Sequence, residues 1–280
     1  MARFIGQLQT ELNQAAVEAN PAVKRMVLKE IIQSYVLSYI YNHPEYKKLN
    51  FYGGTCARVI YGLNRMSEDL DLDNSAGLDL SDFAQDLTTH FQGRLGIDQA
   101  EVKKQGLARG DIYRFTLKLP ILEQLGLSNL EQEKIHIKVE ISQHQQSFQS
   151  QVTPVVRHNN SFVIQHFNQA SLLSGKILAC LERRFVKGQT GVEVKGRDFY
   201  DLIWYMEQKI MPYHLKLEKD GQQSYTVQSA FKKLEQRLDK IKRRDLAIDL
   251  TNLFVNQDFI KNWLDNYQFF FKQYLQYYLE

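Results

Sequence analysis

Apolar and polar positions along this chain follow two different periods, and the change from one to the other divides it. Asn20-Pro21 opens a helix, because Asn suits the N-cap and Pro the first helical position. Val23, Met26, Val27, Ile31, Tyr35, Leu37 and Tyr39 carry that helix to about Asn42, where His43-Pro44 stops it. Leu49 to Tyr52 is a short strand candidate ending at Gly53-Gly54. Thr55 is placed to cap a short helix from Cys56 to Tyr61, closed by Gly62. Asp69-Leu70-Asp71-Leu72-Asp73 then alternates strictly, which predicts a strand with leucines on one face and carboxylates on the other. Leu80 to Leu95 reads as helix, and Gln99–Lys103 and Asp111–Leu119 as strands. From Ile135 to Ile141 the alternation returns: Ile135, Ile137, Val139 and Ile141 share one face, and His136, Lys138 and Glu140 the other. Ser161–Phe167 is a further strand candidate.

After about Asn168 the period becomes helical. Ser171–Arg184, Arg197–Lys209, Val227–Ile241, Leu246–Val255 and Phe259–Leu279 all carry it. The last is the clearest, with a continuous apolar stripe from Ile260 through Trp263, Tyr267 and Phe271 to Tyr278. The expected architecture is α+β or α/β: a mixed sheet with N-terminal and covering helices over residues 1–168, then a helical bundle over 169–280.

Composition narrows the classes. The 280 residues are 44% hydrophobic and 24% charged, enough to bury a sizeable core. Two cysteines, Cys56 and Cys180, cannot build a disulfide framework, so a reducing cytoplasm is the simpler expectation. No signal-type stretch follows Met1 and no apolar run reaches membrane length. The net charge of +3 neither announces nor opposes a nucleic-acid partner. The histidines show no zinc-ligand spacing, and neither a phosphate-loop motif nor a nucleophile elbow is present. The basic run Lys232, Lys233, Arg237, Lys240, Lys242, Arg243 and Arg244 is interleaved with Glu235 and Asp239. It reads as a solvated helix face or as a surface that tracks RNA phosphates.

The acidic strand carries the candidate chemistry. Phosphoryl and nucleotidyl transfer are served by cations that neutralise phosphate oxygens and acidify the attacking hydroxyl. Mg²⁺ is held by a few carboxylates plus water and phosphate. Asp69 and Asp71, two residues apart on a strand, point the same way with Cα atoms roughly 6.5–7 Å apart, and Asp71 with Asp73 is the other register. Glu140, facing away from the apolar side of its strand, is the candidate third carboxylate. Gly53 and Gly54 let backbone approach a phosphate, free N–H groups at the following helix start attract anions, and Thr55 adds a hydroxyl.

These residues resemble a known signature. Gly53-Gly54-Thr55-Cys56-Ala57-Arg58, then Tyr61-Gly62, then Arg65-Met66-Ser67-Glu68-Asp69-Leu70-Asp71-Leu72 is similar to the motif of the AbiEii-like nucleotidyltransferase toxins. That family includes the MenT toxins and belongs to the DNA polymerase β-like nucleotidyltransferase superfamily. The resemblance implies that Asp69 and Asp71 bind metal and that Gly54 and Thr55 contact nucleotide phosphate. Arg65 and Ser67 occupy motif positions and join the nucleotide-binding set. Lys138-Val139-Glu140-Ile141 resembles the family strand with the third carboxylate. Lys176-Ile177-Leu178-Ala179-Cys180-Leu181-Glu182-Arg183 and Lys195-Gly196-Arg197-Asp198-Phe199-Tyr200-Asp201-Leu202 resemble two later motifs, whose lysine and first aspartate map to Lys176 and Asp198. The match runs from about Leu49 to Trp204.

Read from the residues alone, Lys176 interrupts an apolar helical stripe, either as a snorkelling lysine or as one that reaches a triphosphate. Arg197 and Asp201 are spaced as an i, i+4 salt bridge. The resemblance implies a toxin of a toxin–antitoxin or phage-defence pair, using Mg²⁺ (or Mn²⁺) and an NTP. The acceptor would be RNA, the tRNA 3′ end among the options, and the cognate antitoxin a separate regulator whose direct contact is not assumed. A small-molecule nucleotidyltransferase and a non-catalytic nucleotide-binding module stay open as alternatives.

Overall fold

The computed structural model describes residues 2–16, 19–105, 112–143, 145–183 and 194–280. Asp111 and Arg184, the expected first residue of a strand and last residue of a helix, lie outside them. By Cα packing the chain forms two compact units. One comprises residues 1–60, 66–145 and 151–166; the other comprises 61–65, 146–150 and 167–280.

The first unit is built on a seven-stranded mixed sheet. Its strands are β1 (Asn50–Tyr52), β2 (Asp69–Asp73), β3 (Glu101–Gln105), β4 (Ile112–Leu119), β5 (Ile135–Ser142), β6 (Ser150–Arg157) and β7 (Asn160–Phe167), in the order β3-β4-β5-β2-β1-β7-β6. Strand β2 runs parallel to β5 and antiparallel to β1. The alternation of sequence becomes an alternation of burial. Leu70, Leu72, Ile135, Ile137, Val139 and Ile141 are buried on one face, while Asp69, Asp71, Lys138 and Glu140 keep some exposure on the other. Strand β6 had no counterpart in the sequence pattern, since Pro154 and the polar Ser150, Gln151 and Thr153 mask any period; at a sheet edge a proline costs little.

Helices α1 (Ala2–Ala16) and α2 (Pro21–Asn42) belong to the same unit. Asn20 caps α2 by accepting from the Val23 N–H at 3.0 Å. Gln33, buried in α2, donates to the carbonyls of Ser67 (3.1 Å) and Glu68 (3.0 Å), so this helix holds the chain entering β2. Ser67, expected at the nucleotide, is buried at that hold. Helix α3 (Gly53–Tyr61) follows β1. The expected helix at Leu80–Leu95 is shorter and mixed: α4 (Phe83–Thr89) runs into a π turn over His90–Arg94.

The second unit is helical: α5 (Gln169–Glu182), α6 (Gly196–Glu207), α7 (His214–Lys219), α8 (Val227–Leu238), α9 (Arg243–Leu250) and α10 (Gln257–Leu279). Asn168 caps α5 through the Ser171 N–H at 2.9 Å. The α10 stripe is core, with Ile260, Trp263, Leu264, Tyr267, Phe271, Leu275 and Tyr278 all buried. No described helix is long and apolar enough to cross a membrane.

The two faces of β2 make a paired test. Leu70→Ala removes a fully buried side chain and should cost about 2–5 kcal/mol. Asp69→Ala, one residue away on the open face, should cost less than about 1 kcal/mol. Thermal unfolding monitored by circular dichroism reads both; equal losses would contradict the alternation.

Candidate active site

The acidic face is assembled by register. Asp71 is the Cα partner of Tyr52 on β1 and of Glu140 on β5, and Asp69 is the partner of Lys138. Across β4, Arg114 is opposite Glu140 and Thr116 opposite Lys138. Directly paired residues point to the same side of a sheet, so Asp69, Asp71, Glu140, Lys138 and Arg114 share one face. The Arg114 Nε donates to Glu140 Oε1 at 3.0 Å, and Lys138 Nζ lies 3.9 Å from Asp69 Oδ1.

Asp73 is fully buried and accepts from the Ser75 N–H at 3.1 Å. It closes the turn after β2, which leaves Asp69 and Asp71 as the carboxylate pair with exposure.

Gly53 explains itself by contact. Its φ of +78° lies in the left-handed region. A Cβ there would stand 2.8 Å from Asp71 Cγ and 2.9 Å from Asp71 Cβ, overlapping the carboxylate. Only glycine lets α3 begin this close to Asp71. The helix starts at Gly53 rather than at Cys56, so Thr55 lies inside it instead of capping it. The Thr55 hydroxyl, expected at a phosphate, is buried and donates to the Asp69 carbonyl at 2.5 Å. In this structure it ties α3 to β2. Burial, and then the charge of Asp71, push the Cys56 thiol well up, so this cysteine is a neutral core residue.

The donor set fits a cation shared with a substrate. Two partly exposed carboxylates on one face are hard oxygen donors of the kind Mg²⁺ takes alongside phosphate and water. Among the described residues, no three His, Cys, Asp or Glu side chains are arranged to hold a metal by themselves. Glu140 is registered beside Asp71, but its carboxylate is engaged by Arg114.

The second unit holds the other motif residues in a buried charge network. Lys176 Nζ lies 2.9 Å from Asp198 Oδ1 and 2.8 Å from Asp201 Oδ2. Arg65, expected at the nucleotide, is buried here, its Nε 2.5 Å and its Nη2 2.6 Å from the two Asp201 oxygens. Arg183 Nη1 donates to Asp198 Oδ2 at 2.8 Å. Lys176 is therefore neither a snorkelling lysine nor an uncommitted one. Burial opposes its charge, but Asp198 and Asp201 outweigh that and raise its pKa, so it stays an ammonium. Burial likewise opposes ionisation of Asp198, yet the charges of Lys176 and Arg183 bring its carboxyl down to about 2. Asp201 was weighed in the sequence only as a partner for Arg197; its bonds to Arg65 and Lys176 have no local signature. Arg114 could have been found, because it sits on the polar side of an alternating strand opposite Glu140.

A family model described as nucleotidyl transferase AbiEii toxin, type IV TA system, matches residues 35–279. The chain belongs to that family. It is an AbiEii nucleotidyltransferase, of a family that works in toxin–antitoxin pairs. Two solved structures from Helicobacter pylori share the fold. JHP933 is 16% identical, with a TM-score of 0.53 over 89% of each chain. A protein provisionally described as a nucleotidyltransferase is 17% identical, with a TM-score of 0.54 over 89% of this chain and 92% of that one. No curated protein matches the chain.

Two outcomes follow for this AbiEii chain. Gly53→Ala places a methyl against Asp71 and strains the left-handed φ, and should lower nucleotidyl transfer roughly a hundredfold; a steady-state assay that finds wild-type rates would contradict the contact. Asp198 has a folded pKa below that of an unfolded aspartate, so its stabilisation, about 2 kcal/mol, is present above about pH 4 and is lost as pH falls towards 2. Asp198→Asn should therefore be less stable than wild type at pH 7, with the gap closing over that acid range in pH-dependent denaturation; a gap independent of pH would contradict the pairing.

Proposed function

We propose that this chain transfers a nucleoside monophosphate from an NTP to a hydroxyl of an RNA acceptor, the tRNA 3′ end being one such acceptor. The reading is supported by the family and, above all, by the shared open face of Asp69 and Asp71 beside Gly53. Asp69 and Asp71 would hold Mg²⁺ or Mn²⁺. When bound, such a cation neutralises phosphate oxygens and lowers the pKa of the attacking hydroxyl.

In the step itself, the acceptor oxygen bonds to the α-phosphorus, the bond from that phosphorus to the bridging oxygen of the β-phosphate breaks, and pyrophosphate leaves. The hydroxyl proton passes to a carboxylate of the acidic face. Glu140, beside Asp71, is assigned as that acceptor or as a further ligand. Gly53 and Gly54 at the start of α3 offer backbone N–H groups to phosphate. Thr55 and Gln33 act through the backbone of β2 and of the segment before it. Lys176 is kept cationic, and Asp198 positions its ammonium. The reaction is placed in the cytoplasm, in toxin–antitoxin or phage-defence action, with the cognate antitoxin as a separate product.

The test is incubation with each labelled NTP and total RNA, with Mg²⁺ and with chelator. Label should enter RNA only with the cation, and Asp69→Ala or Asp71→Ala should reduce it roughly a thousandfold or more. Label on a small molecule and none on RNA would replace this reading with a small-molecule transferase. Undiminished cell toxicity of Asp69→Ala would replace it with a non-catalytic nucleotide-binding module.

A further inference from the structure

The first unit also carries a cavity of about 510 Å³ that shares no lining residue with the acidic face. It lies among the last turns of α2, the π turn and the start of β7, and its lining includes Tyr39, His43, His90, Arg94, Asn42 and Asn160. The π turn matters because an extra residue in a helical turn is costly, and such turns often persist where function needs them.

Three rings meet there. The Tyr39 and His90 centroids are 4.7 Å apart at 43°, and those of Tyr39 and His43 are 5.7 Å apart at 51°. His43 is fixed by stacking on Tyr46 at 4.1 Å. Its Nδ1 accepts from the N–H groups of Glu45 (3.2 Å) and Tyr46 (3.3 Å), which leaves the ring proton on Nε2 as a donor. Burial and then Arg94 lower the His90 pKa, and burial and then Asp86 raise that of Tyr39, so both rings are neutral at pH 7. The polar groups complement the rings. Asn42 Nδ2 is spent on Ser38 and Ser161, and Asn160 Nδ2 on the His158 carbonyl, which leaves both Oδ1 atoms as acceptors. Arg94 is exposed and makes no hydrogen bond or ion pair with any described residue. None of the described residues that line it is a carboxylate; Asp86 lies outside that lining and acts on Tyr39 by its charge.

Packed rings, amide acceptors and a guanidinium with no ion-pair partner among the described residues suit a planar base and its phosphate. We propose that this cavity binds a nucleotide. Its planar base packs on the Tyr39, His43 and His90 rings, its exocyclic amine meets the Asn42 and Asn160 oxygens, and its phosphate meets Arg94. The ligand comes either as a free mononucleotide or as an unpaired nucleotide of an RNA strand. The inference stands apart from the transfer reaction, since it uses none of the residues assigned to it.

Equilibrium dialysis tests it, with chelator present so that cation-dependent binding at the acidic face is silent. The probes are labelled AMP and a labelled five-nucleotide single strand of A and C. The wild-type chain should bind, and Arg94→Glu and His90→Ala should each weaken binding about tenfold with unchanged circular dichroism. Binding of AMP, or its competition with the strand, identifies a free-nucleotide site; binding of the strand alone identifies an RNA site. Binding of neither probe, or wild-type affinity in both variants, would overturn the proposal.

Discussion

The backbone of Gly53 lies so close to the Asp71 carboxylate that no side chain fits between them, and much of the first unit is arranged around that approach. The left-handed φ of Gly53 turns the chain directly from β1 into α3. The Thr55 hydroxyl then fastens α3 to the Asp69 carbonyl, and Gln33 fastens the segment before β2 to α2. These bonds are buried, where an unmade hydrogen bond is costly, so they fix the strand that carries the acids rather than the acids themselves. The carboxylates stay on an open face while the leucines between them are locked into the core. A backbone fixed by buried bonds beneath partly exposed carboxylates is what a site assembled with its substrate requires.

Electrostatics organises the second unit in a similar way. Lys176 and Arg65 would each be expensive to bury alone, and so would Asp198 and Asp201. Together they satisfy one another: Asp201 bridges Arg65 and Lys176, and Asp198 bridges Lys176 and Arg183. Neighbouring charges keep Lys176, Arg65 and Asp198 ionised against the opposing effect of burial. Removing a single member withdraws one of these pairings, so substitutions in this network should lower stability, and Asp198→Asn should do so in a pH-dependent way.

What the sequence made legible depended on whether the signal was local. The acidic strand and the strand of Glu140 announced themselves because period-two alternation is written within a few residues, and the family motif lies across the same positions. The α10 stripe was readable for the same reason. Strand β6 was not, because an edge strand with Pro154 needs no buried face to mark it. The π turn at His90–Arg94 looked like ordinary helix, since its residues do not violate helical spacing. Arg65 and Thr55 were placed at the nucleotide by motif position. Arg65 bonds Asp201, 136 residues away, and no sequence pattern carries a contact of that range. The Thr55 cap alone was misread, through the helix start: moving it from Cys56 to Gly53 turns a cap into an internal tie.

On the proposed reading, Asp69 and Asp71 form one oxygen-donor face for a divalent cation shared with the nucleotide. Electron paramagnetic resonance of Mn²⁺ titrated into the protein, with and without a non-hydrolysable NTP analogue, measures this directly. Mn²⁺ should be taken up far more tightly with the analogue present, and that uptake should be lost in Asp71→Asn while the fold is retained. Uptake that ignores the analogue, or that survives in Asp71→Asn, would contradict it.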